Sequence, residues 1–214
     1  MQVTHPRFPP RARSARAVTW WGKAWVRAVE ESAYDDSDLR AARTLARSGR
    51  LGGITIGPGG FHAAVEEGED AWTPRVVVPT LPPEQVAAFV ELVAAEAGRV
   101  AALLAGDLPH RLAEDAEESG VELLPYGGEF EADCSCGAWT QPCRHALALL
   151  YQTCWLVEDD PLLLTHLRGL PREHLLSALH ARQSDAAPAE PDDDLEVAYD
   201  AAVRAARLLD DSGA

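Results

Sequence analysis

The chain has 214 residues, 47% hydrophobic content and a formal net charge of −15, enough apolar material for one substantial core or two modest ones. No run of about 18 consecutive apolar residues occurs, which excludes a transmembrane helix. The acidic total also argues against indiscriminate nucleic-acid binding, because phosphate would be repelled by most of the surface.

Charge is unevenly spread. Residues 1–60 hold ten of the nineteen Lys and Arg against five acids, whereas residues 61–133 hold three basic residues against sixteen acids. Any contact with phosphate is therefore expected toward the N-terminal end. Residues 1–17, with Arg7, Arg11, Arg13 and Arg16 among prolines and alanines, read as a disordered basic arm. They do not resemble a secretory signal peptide, having no apolar central segment, so a reducing cytoplasm is the expected setting.

Trp21, Ala24, Trp25, Ala28 and Val29 mark one face of a helix of about four turns. Trp20, Trp21 and Trp25 suggest base stacking, but large apolar residues at helical spacing more often mean burial. A second helix is predicted from about Ser37 to Ser48. Arg40, Arg43 and Arg47 share one of its faces, and Arg50 follows just past Gly49. These four arginines are the candidate nucleic-acid contacts. The plainer reading is a solvated face whose arginines pair with Asp35, Asp36 and Asp38.

Three β-like runs follow, Leu51 to Ile56, Phe61 to Val65 and Arg75 to Val78, with a Gly57-Pro58-Gly59-Gly60 turn between the first two. That turn lacks the GK[ST] ending of a phosphate-cradling loop, and no helix follows it. Pro82-Pro83-Glu84 opens a long amphipathic helix carrying Val86, Phe89, Val90, Val93, Ala97, Val100 and Leu104, which Gly106 ends. Pro109 starts a shorter helix to about Ser119, and residues 121–136 descend through an extended segment.

The most concentrated chemistry lies at Cys134-Ser135-Cys136 and, after a six-residue spacer, Cys143-Arg144-His145, running into an apolar helix. Thiolate and imidazole are the donors a tetrahedral zinc ion prefers, and Cys₃His is a closed structural set with no position left for an activated water. Cys-x-Cys reaches one ion only if the backbone turns locally, which Ser135 and Gly137 permit. A helix N-terminus at Cys143 favours thiolate over thiol. Redox activity of Cys134 and Cys136, or partial disulfide bonding, is the competing reading, less suited to a reducing compartment. Cys154, on the apolar face of the following helix, reads as a small buried hydrophobe.

The segment CSCGAWTQPCRHALALLYQ resembles the SWIM zinc finger in its bacterial form. TWWGKAWVRAVEE, ARSGRLGGITIGPGGFHAAVEEG and EDDPLLLTHLRG resemble the flanks of stand-alone bacterial SWIM proteins, so the resemblance spans roughly residues 18–182. It implies one structural zinc and a role in nucleic-acid binding or protein contact, often beside helicase-like ATPases. It implies no enzymatic activity.

Past the finger, Pro161 to Leu167 and Pro171 to Ala181 are predicted as short helices. The expected organisation is a basic arm (1–17), an N-terminal α+β region (18–123), the finger with its following helices (124–183), an acidic linker (184–194) and an amphipathic helix (195–210). The fold class is α+β, mainly helical, with a small antiparallel sheet and a zinc-stabilised CxCx6CxH finger leading into a helix. No catalytic motif occurs, no Gly-x-Ser-x-Gly, P-loop or His-Glu-x-x-His. Two functions are consistent with this: a non-enzymatic zinc module binding nucleic acid, or an adaptor for a helicase-like ATPase. Neither a membrane nor a small-molecule substrate is expected.

Overall fold

A computed structural model of the chain describes residues 2–12 and 16–186. Residues 1–179 form one compact unit and residues 180–214 a second, of which only 180–186 are described, as helix. The strands are β1 (Val3–His5), β2 (Ile54–Gly57), β3 (Gly60–His62), β4 (Val65–Glu67), β5 (Asp70–Trp72), β6 (Pro74–Val77) and β7 (Glu131–Cys134). The helices are α1 (Trp20–Ser32), α2 (Asp36–Arg47), α3 (Pro83–Ala94), α4 (Ala97–Leu104), α5 (His110–Glu118), α6 (Arg144–Asp159), α7 (Leu162–Leu167) and α8 (Arg172–Ala186). The fold is α+β and mainly helical, as the hydrophobic periodicity predicts.

At the centre lies α6. Its residues from His145 to Cys154 are all buried, and α1, α2 and the sheet surround it. Three indole N–H groups fasten α1 into this core: Trp25 donates to the Leu150 carbonyl, Trp21 to Val157 and Trp20 to Leu108, at 2.8–3.0 Å. The tryptophans are thus spent on the core, with their polar tips satisfied. Thr19 caps α1 through the Gly22 N–H, and its hydroxyl donates to the Glu158 carboxylate. Gly22 has no room for a Cβ because the Glu158 side chain crosses over it.

Five strands form an antiparallel sheet in the order β1-β2-β3-β6-β7. Ile54, Ile56, Phe61 and Val76 alternate onto its buried face, while Val77 points outward. β4 and β5 form a separate hairpin. The predicted run Phe61 to Val65 is therefore two strands in two sheets. Ala63 leaves the ladder with its N–H on the Pro74 carbonyl, and Val65 bridges to Leu51.

Three boundaries differ from expectation. Residues 2–12 are no free arm: Val3, Thr4 and His5 pair with Ile56, Thr55 and Ile54, and the Arg7 Nε–H donates to the Gly49 carbonyl. Pairing β1 onto β2 satisfies an otherwise open sheet edge. The long helix expected over residues 83–104 is broken at Glu96, which is extended. The buried Arg99 guanidinium donates to the Leu92 carbonyl, one of the acceptors left open by the last turn of α3. Finally, α8 continues to Ala186, so the first residues of the expected 184–194 linker are helical. The expected helix 195–210 lies outside the described residues, as does Arg13. Residues 18–123 and 124–179 lie in the same compact unit.

Candidate metal centre

Cys134 closes β7, whose register against β6 places it opposite Pro74. The chain then turns sharply. The Gly137 N–H returns to the Cys134 carbonyl at φ +67°, a conformation that suits glycine. Ser135 pins the turn to the neighbouring segment, its Oγ accepting from the Thr73 N–H at 2.9 Å. After a cis Gln141-Pro142 bond, Cys143 takes the N-cap position of α6, its own N–H donating to the Gln141 side chain. His145 follows in the first turn.

This path brings the four predicted ligands together. Their donor atoms all lie within 4.8 Å of one another, and among the described residues they are the one such group. Cys136 Sγ is 3.6 Å from Cys143 Sγ, and His145 Nδ1 is 3.7 Å from Cys134 Sγ and 3.9 Å from Cys143 Sγ. A tetrahedron with zinc–sulfur arms of about 2.3 Å has edges of about 3.8 Å. The spacings are those of a Cys₃His set around a single structural zinc, and all four cysteines are free thiols.

Burial pushes the Cys134 thiol well above its ordinary range and raises Cys143 too, while the N–H groups of Ala146 and His145 pull Cys143 back. Packed together without a cation, the sulfurs favour protons. A divalent ion reverses that preference, because a coordinating thiol is deprotonated outright. Cys154 lies apart, 1% exposed, with its S–H toward the Gly22 carbonyl and its pKa pushed up to about 12 by burial.

One functional residue escapes sequence reasoning. Glu67, on β4, accepts from His145 Nε2 at 2.9 Å and from the Arg144 guanidinium at 2.8 Å. The hydrogen bond from His145, followed by that from Arg144, holds its carboxyl below the usual carboxylate range. A carboxylate on Nε2 fixes the tautomer that leaves the Nδ1 lone pair free for a metal. Trp72, on β5, stacks against the imidazole with centroids 6.1 Å apart, so the β4–β5 hairpin covers the histidine side. Arg144 thus acts through Glu67. Three thiolates, Zn²⁺, Glu67 and Arg144 leave a formal charge of −1. Only the acidity of the stretch containing Glu67 was visible in the sequence, and nothing there tied it to a histidine 78 positions away. Replacing Glu67 with alanine is expected to weaken zinc binding by about 10–100-fold in competition against a chromophoric chelator, with the fold retained at saturating zinc.

The four candidate nucleic-acid residues do not act as one stripe. Arg43 turns inward, its Nε–H on the Tyr151 hydroxyl and its Nη2 on Glu30. Arg47 is half-buried and donates to the Arg43 carbonyl. Arg40 and Arg50 are exposed; Arg40 acts on Asp35 only through its field, and no direct ion pair with Asp35, Asp36 or Asp38 forms among the described residues. Asp35 instead caps α2 through the N–H groups of Ser37 and Asp38.

A β-strand turning through Cys-x-Cys, followed by Cys-x-His on the first turn of a buried helix, defines a zinc-finger protein. The SWIM zinc finger family matches residues 115–154, which include all four ligands, so this segment is a SWIM-type finger. It is 31% identical over 186 residues to the uncharacterized protein Rv2102 of Mycobacterium tuberculosis. That similarity covers 84% of this chain and 66% of the relative, just under two thirds of its length. No solved structure matches the chain. No helix among the described residues is long and apolar enough to cross a membrane.

Proposed function

We propose that the chain is a non-enzymatic, zinc-stabilised module that assists nucleic-acid transactions in the cytoplasm by binding nucleic acid through its N-terminal helices. The observation that carries this reading is the separation of charge from metal. The Cys₃His set is complete without substrate, so zinc serves to hold β7 against α6. The cations gather elsewhere, with Lys23 and Arg27 on α1 and Arg40, Arg43 and Arg47 on α2. The finger adds only Arg144, which is engaged with Glu67.

The test is a binding titration with single- and double-stranded DNA and RNA across a range of salt. Three to five phosphate contacts on a single strand correspond to a log–log salt slope of roughly −2 to −3.5. A protein that binds no nucleic acid even at low salt is instead the second proposal, an adaptor for a helicase-like ATPase. That alternative is favoured by Trp139, a fully exposed indole in the loop between the two ligand pairs. Exposed tryptophans are frequent anchors of protein contacts.

A further inference from the structure

A groove of about 510 Å³ lies between α1, α2 and α6, lined by none of the four ligands. Its volume falls in the range of small-ligand sites, roughly 300–1,000 Å³. Each helix contributes one stripe at helical spacing. Lys23, Arg27 and Glu30 come from α1, Arg43 and Arg47 from α2, and Tyr151 and Trp155 from α6, and Arg16 adds to the lining ahead of α1. Five cations thus face one carboxylate in a chain whose net charge is −15.

The hydrogen bonds show which of these cations are already used. Glu30 is committed to Arg43, and Arg27 pairs with Glu31 on its own helix. Arg47 spends its Nε–H on the Arg43 carbonyl, leaving its terminal nitrogens without an ion pair. Arg16 and Lys23 have no ion-pair partner among the described residues. Glu30 offsets the charge of Arg43, so of the two arginines one turn apart it is Arg47 whose charge stays uncompensated. The apolar wall raises the strength of any such interaction, because field lines focus in a low-dielectric cleft.

Trp155 is part of that wall and unsuited to stacking a base. The Arg11 guanidinium lies 4.0 Å from its ring centroid, and Phe8 meets it edge-on at 5.2 Å. We infer that the groove is a phosphate site, in which Arg16, Lys23 and Arg47 hold the phosphate of a nucleotide, free or within a strand, while the bridged Arg43 braces the wall. This rests on the nucleic-acid reading above and deepens it, since it moves the contact from the outer α2 face into the groove and leaves Arg40 and Arg50 out.

The probes are inorganic phosphate, adenosine monophosphate and a single-stranded oligothymidine, titrated into the zinc-loaded full chain. The double variant Arg16→Glu/Lys23→Glu changes two exposed side chains, and its zinc content and circular dichroism should match wild type. Its affinity for oligothymidine is expected to fall at least about 10-fold and its salt slope to flatten by roughly one unit per lost contact. Arg40→Glu/Arg50→Glu is expected to change affinity less than about threefold. In nitrogen-15 spectra of wild type, the Trp155 indole resonance should shift on titration while that of Trp139 stays in place.

Matching affinities for adenosine monophosphate and the strand support a free-nucleotide source, and binding of the strand alone supports a strand. If oligothymidine binds but the Arg40/Arg50 variant loses it and the Arg16/Lys23 variant keeps it, the groove assignment is overturned and nucleic-acid binding survives. If wild type binds none of the three probes, both fall.

Discussion

Cys143→Ala is expected to abolish stoichiometric zinc and to lower the melting temperature by at least about 8–16 °C. Cys143 is 3% exposed, it is the N-cap of the central helix, and its sulfur lies within 4 Å of both Cys136 and His145 donor atoms. Zinc here joins the last strand of the sheet to α6, so its loss frees both ends of that link. Structural zinc contributes about 10–16 kcal/mol in isolated finger peptides. Even about 4 kcal/mol of that, at roughly 2–4 °C per kcal/mol for a chain of this size, is a drop of about 8–16 °C. Hydrogen exchange should rise first across residues 131–150. Cys154→Ala is the control: its sulfur lies about 13 Å further along the helix axis than His145, so zinc content should stay full. Loss of zinc on that substitution would mean the ligand set is misassigned.

Arg168→Met is expected to be nearly as damaging, by a route that does not involve the metal. Arg168 is 3% exposed, and four of its five N–H donors are engaged. Nε donates to the Leu123 carbonyl and Nη1 to Pro79, while Nη1 and Nη2 grip the two oxygens of Glu129 at 3.0 and 2.9 Å. One side chain thus ties the end of α7 to the loop before α3 and to the 3-10 turn Gly127–Glu129 before β7. Removing one partner of a buried pair costs about 3–5 kcal/mol, because the other charge is left without compensation. Thermal unfolding should fall by roughly 6–20 °C. Adding Glu129→Gln should restore part of the loss, since the stranded carboxylate is then neutral. Strictly additive losses would show that the pair is not coupled. Arg168→Lys should not rescue, for an ammonium cannot reproduce the planar fork.

What could be read from the sequence follows from how local each determinant is. The four ligands lie within a dozen positions, so their chemistry and spacing speak together, and the following helix announces itself by its apolar repeat. The tryptophans of α1 were legible as core for the same reason. Glu67 was not, because a supporting carboxylate is recruited by a hairpin, and hairpin docking leaves no mark in the local pattern. The break between α3 and α4 was equally hidden: residues 95 and 96 are alanine and glutamate, both good helix formers, and the turn is set by the buried Arg99 reaching Leu92, Glu96 and Asp115. The basic arm misled in a different way. Its prolines and arginines suit a solvated segment by composition, yet three residues suffice to add a strand to β2, and backbone pairing depends little on side-chain type. The arginines of α2 were correctly placed on a helix, but which of them turn inward depends on Tyr151 and Glu30 from two other helices.

This chain folds around one zinc held by Cys134, Cys136, Cys143 and His145. Elemental analysis of reduced, chelator-free protein, combined with zinc X-ray absorption on the same sample, tests it directly. About one zinc per chain is expected, surrounded by three sulfurs at about 2.3 Å and one nitrogen at about 2.0 Å. Less than about a tenth of an equivalent of zinc in protein that remains folded, or a shell with fewer than three sulfurs, would contradict it.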